Sequence, residues 1–256
     1  MKPVVDKDSL NQIASQYHLN TEVTDKEFDQ QFHRLCAQWV NSWLSTGSRV
    51  LEMGFGEGNV THQLLEAGMK VDIIEGAELL VKNAREIYGD AVRVHHALFA
   101  EFRPDYHYDA ILATNILEHV SDPADTLACV RKWCGPQTRV VVTVPNAESI
   151  HRRLAVLMGI QPTLDTLSPR DHLVGHMRVY DFAQISREVD EAGFEIVDQK
   201  GFLLKVLPNC PRVSPSILRM SASSSSTRWH HWPPNGIRWS HCAGRNGWAS
   251  SSATRR

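Results

Sequence analysis

The chain has 256 residues, with 27 Lys and Arg against 29 Asp and Glu, which gives a formal net charge of −2. This length predicts one α/β domain of about 200 residues with additional segments. No apolar run approaches the ~20 residues that span a bilayer, and residues 1–8 lack the apolar core of a signal peptide. The five cysteines show no Cys-x-x-Cys spacing, so we expect a protein of the reducing cytoplasm.

Residues 1–46 are predicted to form an N-terminal helical segment, with a helix from about residue 24 to residue 43. Apolar side chains recur along it at intervals of three and four: Phe28, Phe32, Leu35, Trp39 and Trp43. This spacing places them on one helix face. We expect that face to pack against the rest of the protein rather than against a partner.

A glycine-rich turn follows the first predicted strand, at residues 52–58. Glu52 is followed by Gly54, Gly56 and Gly58, and a helix can start directly behind them. Glycine suits positive φ angles and close approach of a ligand, and the N–H groups of a helix start attract an electron-rich ligand. The spacing E-x-G-x-G-x-G differs from the dinucleotide fingerprint G-x-G-x-x-G, which disfavours a nicotinamide enzyme. It resembles the first motif of class I S-adenosylmethionine (SAM) dependent methyltransferases.

That resemblance implies that the four residues of the turn hold the methionine and ribose end of SAM. Glu75 ends the second predicted strand, where an acid in nucleotide-binding α/β folds accepts hydrogen bonds from the ribose hydroxyls. The alternative is an ordinary acid at a helix N-terminus. Leu98 and Phe99 follow the third strand and are expected against the adenine, although the Asp that the family usually has there is missing.

The fourth predicted strand, 108–114, ends in Asn115, which we assign to the cofactor. The following Leu-Glu-His-Val, 117–120, resembles the motif after strand four in small-molecule methyltransferases of the ubiquinone-biosynthesis type. No Asn/Asp-Pro-Pro-Tyr/Phe string is present, which argues against methylation of adenine or glutamine nitrogen. Glu118 and His119 have three possible roles: a base or substrate contact, a structural role, or metal ligation. Asn115 stands where some relatives have a metal-binding acid, so we assign no metal ligand.

Further strands are predicted at 139–144, 194–197 and 201–207. Strands that alternate with helices predict an α/β, Rossmann-like, seven-stranded and mostly parallel sheet with helices on both faces. The resemblance implies a SAM-binding domain over 47–209 whose seventh strand is antiparallel and inserted beside the sixth.

Residues 147–181 form an insertion that is longer than an ordinary connection. Its polar side chains predict a cap over the substrate, the alternative being a solvated loop. The run from Pro-Asn-Ala-Glu-Ser to Gly-His-x-Arg-x-Tyr-Asp resembles bacterial type-11-like methyltransferases that modify glycans, cell-surface molecules or natural products. His172 and His176 join His119 as candidate catalytic bases. Glu118, Arg178 and Tyr180 are the candidate substrate-binding residues.

Residues 210–256 have a different composition, with seven Arg, four Trp, and no Lys, Asp or Glu. Three interpretations are open: translation out of frame, which we favour, plain disorder, and a nucleic-acid-binding arm.

Together these features predict a SAM-dependent methyltransferase that acts on a small-molecule or glycan-type acceptor, at oxygen. The alternatives are a SAM-binding protein without turnover, and an RNA methyltransferase that uses the tail. The oligomeric state is not predicted.

Overall fold

The computed structural model describes residues 5–21, 23, 26–202 and the backbone of 236–241. Its helices are α1 (Lys7–Ile13), α2 (Glu27–Asn41), α3 (Asn59–Glu66), α4 (Glu78–Tyr88), α5 (Pro123–Trp133), α6 (Ile150–Leu157), α7 (Pro169–Leu173) and α8 (Phe182–Glu191). A π-helical turn, Ala14–His18, continues α1. The strands are β1 (Arg49–Met53), β2 (Lys70–Glu75), β3 (Val92–His96), β4 (Ala110–Thr114), β5 (Arg139–Val144), β6 (Glu195–Lys200) and β7 (Gly236–His241).

The centre of the fold is a parallel sheet in which the strands follow the order β3-β2-β1-β4-β5. The strands β1, β2, β4 and β5 are almost wholly buried, because helices cover both of their faces. One apolar cluster packs α5 and α8 on one face, and another packs α2, α3 and α4 on the other. The chain order reverses between β1 and β4, so the crevice at the carboxyl ends of these two strands is the expected ligand site.

The outer part of the sheet differs from the prediction. Gly201 and Phe202 are the described residues of the predicted strand 201–207, and neither is in a strand. Phe202 instead packs edge-on against Phe32 and Trp39 of α2, with ring centroids 5.7 and 5.6 Å apart. The place between β5 and β6 is taken by β7, which runs parallel to both rather than antiparallel.

The strand β7 lies inside the tail, for which the sequence predicted no regular element. The rest of the tail is outside the described residues, so its three interpretations stay predictions. Within the described part of the chain, no helix has the length and apolarity to cross a membrane.

Candidate functional site

The glycine turn adopts the backbone geometry that its sequence predicts. Gly54, Gly56 and Gly58 have φ angles of 76°, 56° and 75°. A Cβ on Gly54 would lie 2.9 Å from the Ile116 side chain, and one on Gly58 would lie 2.8 Å from the Phe55 ring. Larger residues are therefore excluded both by backbone strain and by space.

Glu52 is buried below this turn. Its Oε2 accepts a 2.6 Å hydrogen bond from the Thr61 hydroxyl on α3. Burial raises the pKa of Glu52 to about 8. The hydrogen bond from Thr61 lowers this pKa by less than burial raises it, and the nearby negative charge of Glu75 raises it further. The carboxyl is thus largely protonated at neutral pH, and one of its oxygens fastens β1 to α3.

Glu75 connects the end of β2 to the turn. Its Oε2 accepts from the Phe55 N–H at 2.8 Å, and its Oε1 accepts from the Ala77 N–H at 2.7 Å. Burial raises the pKa of this carboxyl. Each carboxylate oxygen can accept more than one hydrogen bond, so the geometry leaves Glu75 able to accept from a diol as well.

The residues predicted to contact adenine lie beyond Glu75. A Cβ on Gly76 would be 3.1 Å from Leu98 Cδ2, which places Leu98 beside the end of β2. The Leu98 N–H donates to Glu101 at 3.0 Å. Phe99 instead packs against the apolar cluster on the α5 side of the sheet.

Asn115 ends β4 and, among the described residues, is the one non-glycine residue with a positive φ angle, 54°. Its N–H donates to the backbone oxygen of Thr143, and its Oδ1 accepts from the Thr143 hydroxyl at 2.7 Å. A strained backbone held by such bonds is common at functional sites. The next residue, Ile116, lies against Gly54 across the β1–β4 crevice, and the cofactor contact of Asn115 stays a prediction.

Three ionisable side chains meet at the carboxyl end of β4. Glu118, His119 and His176 each offer a ligand atom, and these atoms lie within 4.8 Å of one another. Glu118 is fully buried, and neither of its carboxylate oxygens has a hydrogen-bond partner. Burial raises the pKa of Glu118 to about 7. The structure thus brings together two residues that follow β4 and one from the insertion.

His176 is oriented by Asp171. The Nδ1 of His176 lies 2.9 Å from Asp171 Oδ1, and Asp171 Oδ2 accepts from Arg152 at 2.8 Å. Burial alone would raise the pKa of Asp171, but the bonds from His176, Ser168 and Arg152 outweigh it and hold the pKa well below its usual range. An ionised Asp171 keeps the proton on Nδ1, which leaves Nε2 of His176 as the basic atom.

His119 is the second imidazole of the cluster, with its ring centroid 4.7 Å from that of His176. Burial, together with the neighbouring His176 and His18, lowers the pKa of His119 well below its ordinary value. His119 is therefore neutral at physiological pH.

Three predicted site residues are placed elsewhere. Arg178 donates to the backbone oxygens of Leu117, at 2.7 Å, and Val120. The Tyr180 hydroxyl donates to the same Leu117 oxygen, and Tyr180 is 1% exposed. These contacts brace the loop after β4 instead of facing a ligand. His172 is exposed on α7 and does not join the cluster.

Two parts of the site were missed from the sequence. Asp171 stands five residues before His176, a separation with no recognisable motif. The helix α1 and the π-helical turn lie within the predicted helical segment 1–46 but were not predicted as separate elements, although Asp6 caps α1 by accepting from the Ser9 N–H at 2.8 Å. That Asp-x-x-Ser start was the available signal.

The cluster also has the donors that a divalent metal ion needs. A buried carboxylate without partners and two imidazoles suit transition metals better than Mg²⁺, which prefers oxygen ligands. Asp171 would then act as the outer carboxylate that orients a metal-binding histidine. The sequence assigned no metal ligand because of Asn115, and it could not show that His176 would reach Glu118.

Comparisons with known proteins identify the family and the fold of the chain. The family described as "Methyltransferase domain" matches residues 27–199. An uncharacterized methyltransferase of Geobacillus sp. is 37% identical over 111 residues, which cover 43% of this chain and 52% of that protein. The ubiquinone biosynthesis O-methyltransferase of Aromatoleum aromaticum is 27% identical over 187 residues, 70% of this chain and 78% of that protein.

A solved structure shows the same fold. The Burkholderia thailandensis 1,6-didemethyltoxoflavin-N1-methyltransferase, with bound 1,6-didemethyltoxoflavin and S-adenosylhomocysteine, superimposes with a TM-score of 0.56. Its sequence is 18% identical, and the match covers 77% of this chain and 83% of that one.

Proposed function

Because the chain belongs to the methyltransferase-domain family, whose class I members use SAM, we propose that it methylates a hydroxyl group of a small-molecule or glycan-type acceptor. The observation that carries this proposal is the buried cluster of Glu118, His119 and His176 at the carboxyl end of β4. An amine is nucleophilic once it is neutral, whereas a hydroxyl needs a base or a Lewis acid beside it. This cluster is suited to that task.

The cofactor is proposed to lie along the carboxyl ends of β2, β1 and β4. Glu75 accepts from the ribose hydroxyls, and Leu98 borders the adenine. The turn of Gly54 and Gly56, with Asn115 across the crevice, takes the methionine end. The methyl group then faces the residues that follow Asn115, where the cluster begins.

Methyl transfer is an in-line displacement. The acceptor oxygen forms a bond to the methyl carbon, the carbon–sulfur bond breaks, and its electron pair stays on sulfur to give neutral S-adenosylhomocysteine. The hydroxyl proton passes to Nε2 of His176, and ionised Asp171 stabilises the imidazolium that forms. Holding acceptor and cofactor in line supplies much of the remaining acceleration.

Glu118 and His119 complete the environment of the acceptor. The unpartnered carboxyl of Glu118 can bond the acceptor hydroxyl, and neutral His119 can donate or accept beside it. A divalent metal ion held by the same three residues would act as a Lewis acid and lower the pKa of that hydroxyl.

Residues 147–181 are proposed to cap the acceptor. This insertion supplies His176 and Asp171, and the Met177 N–H donates to the Glu118 backbone oxygen at 2.8 Å. Closure of this segment would exclude water from the reacting groups.

The test compares the two histidines of the insertion. We would incubate the full chain with methyl-labelled SAM and a panel of phenols, catechols and sugars, and follow labelled product by mass spectrometry. For the acceptors that react, His176→Ala should reduce kcat by about 100-fold or more, and His172→Ala should leave it within about twofold. Transfer to amines alone, or equal activity of both variants, would contradict the proposal.

A protein that binds SAM without turnover is the competing function. Calorimetry with SAM would show binding in both cases, so the absence of product across the whole panel would favour it. Absence of SAM binding by the folded wild type would overturn both.

A further inference from the structure

The N-terminal segment, residues 5–19, lies over the carboxyl edge of the sheet. The Val5 N–H donates to the Ser121 hydroxyl at 3.2 Å, and Asn11 Oδ1 accepts from the Leu79 N–H at 3.0 Å. A Cβ on Gly76 would be 2.5 Å from the Leu10 side chain. The segment therefore reaches two places: the end of β2, where Glu75 lies, and the loop after β4.

His18 ends the π-helical turn and lies over the glycine turn. A Cβ on Gly56 would be 3.8 Å from His18 Cε1 and 3.9 Å from its Nδ1, which is ordinary contact distance. That Nδ1 is buried and has no hydrogen-bond partner. A buried polar atom without a partner is costly unless a ligand satisfies it.

The groups around His18 carry both signs of charge. Lys26 Nζ donates to the His18 backbone oxygen at 2.8 Å and forms an ion pair with Glu57 at 2.9 Å. Gln30 also donates to Glu57. A cavity of about 490 Å³ opens beside these side chains and is bordered by Asn83 of α4.

This surrounding matches the chemistry of an α-amino acid. SAM ends in a carboxylate and an ammonium group. Lys26 and Glu57 form an ion pair with each other that carries both complementary charges, and Glu57 directly follows Gly56. Burial lowers the pKa of His18 to about 4, so its ring is neutral and can donate to the carboxylate or accept from the ammonium.

We infer that His18 is a cofactor-binding residue, and that its Nδ1 hydrogen-bonds the amino-acid end of SAM. The inference rests on the proposed use of SAM and assigns to the N-terminal segment one wall of the cofactor pocket. On this inference, binding of the methionine end of SAM depends on His18, and binding of the adenosine end does not.

Two ligands separate these ends. S-adenosylhomocysteine has the amino-acid chain, whereas 5′-methylthioadenosine has the same adenosine and sulfur without it. Calorimetry on the full chain should show that His18→Leu weakens the binding of S-adenosylhomocysteine by about tenfold or more. The same variant should bind methylthioadenosine with an affinity within about twofold of the wild type. His18→Asn is nearly isosteric with the Leu variant but keeps an amide donor, so it should retain most of the affinity.

A matched control is His62→Ala, an exposed histidine on α3 whose ion pair with Glu66 is at the surface. It should bind both ligands as the wild type does. Equal weakening of both ligands by His18→Leu would mean that the residue only supports the fold, and unchanged affinity for both would also overturn the inference. If the wild type bound neither ligand, the proposed SAM chemistry itself would be wrong.

Discussion

Two buried carboxylates of the same domain, Asp72 and Glu118, have opposite surroundings. Asp72 lies inside β2, and its Oδ2 accepts from Tyr106 at 2.6 Å, Tyr108 at 2.9 Å and His95 at 3.3 Å. Burial alone would raise its pKa, but these bonds outweigh burial and lower it. Glu118 has no partner for either oxygen, and burial raises its pKa to about 7.

The difference separates a structural carboxylate from one that is proposed to be functional. The donors around Asp72 use its charge to join β2, β3 and the loop before β4. Nothing in the described residues uses Glu118 in this way, so its desolvation remains as a cost to stability. Such a cost is expected where a group is kept ready for a ligand or a reaction.

The largest expected effect is on catalysis. Glu118→Gln should lower kcat by about 10- to 100-fold, because it replaces the carboxylate that is proposed to bond the acceptor hydroxyl beside His176. Asp72→Asn should leave kcat unchanged at a temperature where the variant is folded. Steady-state rates with the acceptor found in the panel check this, and circular dichroism confirms folding. Similar losses in the two variants would remove the functional distinction between the carboxylates.

The second effect is on the pH dependence of stability. A folded-state pKa raised from 4.5 to about 7 means that the native protein holds its proton more tightly, so stability falls as the pH rises through that window. For Glu118 this amounts to about 3 kcal/mol, which Glu118→Gln should remove. Urea unfolding should show that the free energy of unfolding of Glu118→Gln increases relative to that of the wild type between pH 5 and pH 8.

Asp72 should show the opposite sign. Its lowered pKa contributes stability above pH 3.8, and this contribution is lost as the pH falls further. Asp72→Asn should therefore be less stable than the wild type at neutral pH, and it should lose less further stability than the wild type as the pH falls below 3.8. An Asp72→Asn variant as stable as the wild type at neutral pH would contradict the assignment.

A smaller effect is expected from the tyrosine hydrogen bonds to Asp72. Tyr106→Phe and Tyr108→Phe should each destabilise the fold by about 1.5–3 kcal/mol, since each removes a hydrogen bond to a charged group. Tyr88→Phe is the matched control, because the Tyr88 hydroxyl donates to the neutral Gly58 oxygen at 3.2 Å and should cost only about 0.5–1.5 kcal/mol. Thermal denaturation of the three variants would measure the order, and an inverted order would count against a charged Asp72.

The smallest effect concerns metal ions. Zn²⁺ at about ten times its Kd should stabilise chelator-treated wild type by about 1.4 kcal/mol, or roughly 3–6 °C in Tm, and Mg²⁺ should do less. Glu118→Gln should abolish the zinc shift, and Asp72→Asn should keep it. A zinc shift that survives in Glu118→Gln would place the metal elsewhere.

Much of the fold, and the residues of the proposed cofactor site, could be predicted from local sequence. Apolar runs separated by helical segments predicted the parallel sheet, because the periodicity of apolar residues is a property of short stretches of sequence. The glycine turn and Glu75 were found for the same reason, since each lies at a strand end that the pattern itself marks. The strand β5 lies where it was predicted, and β4 begins two residues later than predicted.

The sequence alone therefore determined the parallel core and the residues at its strand ends, because these depend on local backbone geometry. Only the tertiary structure decided which side chains meet there. His176 and Asp171 reach Glu118 from a distant insertion, and His18 reaches Gly56 from the N-terminal segment. Arg178 and Tyr180 looked equally suited to a ligand, yet the loop after β4 has carbonyl groups that need donors, and they satisfy them. The place predicted for the last strand is taken by β7 of the tail, which no local pattern marked, and Phe202 packs on α2.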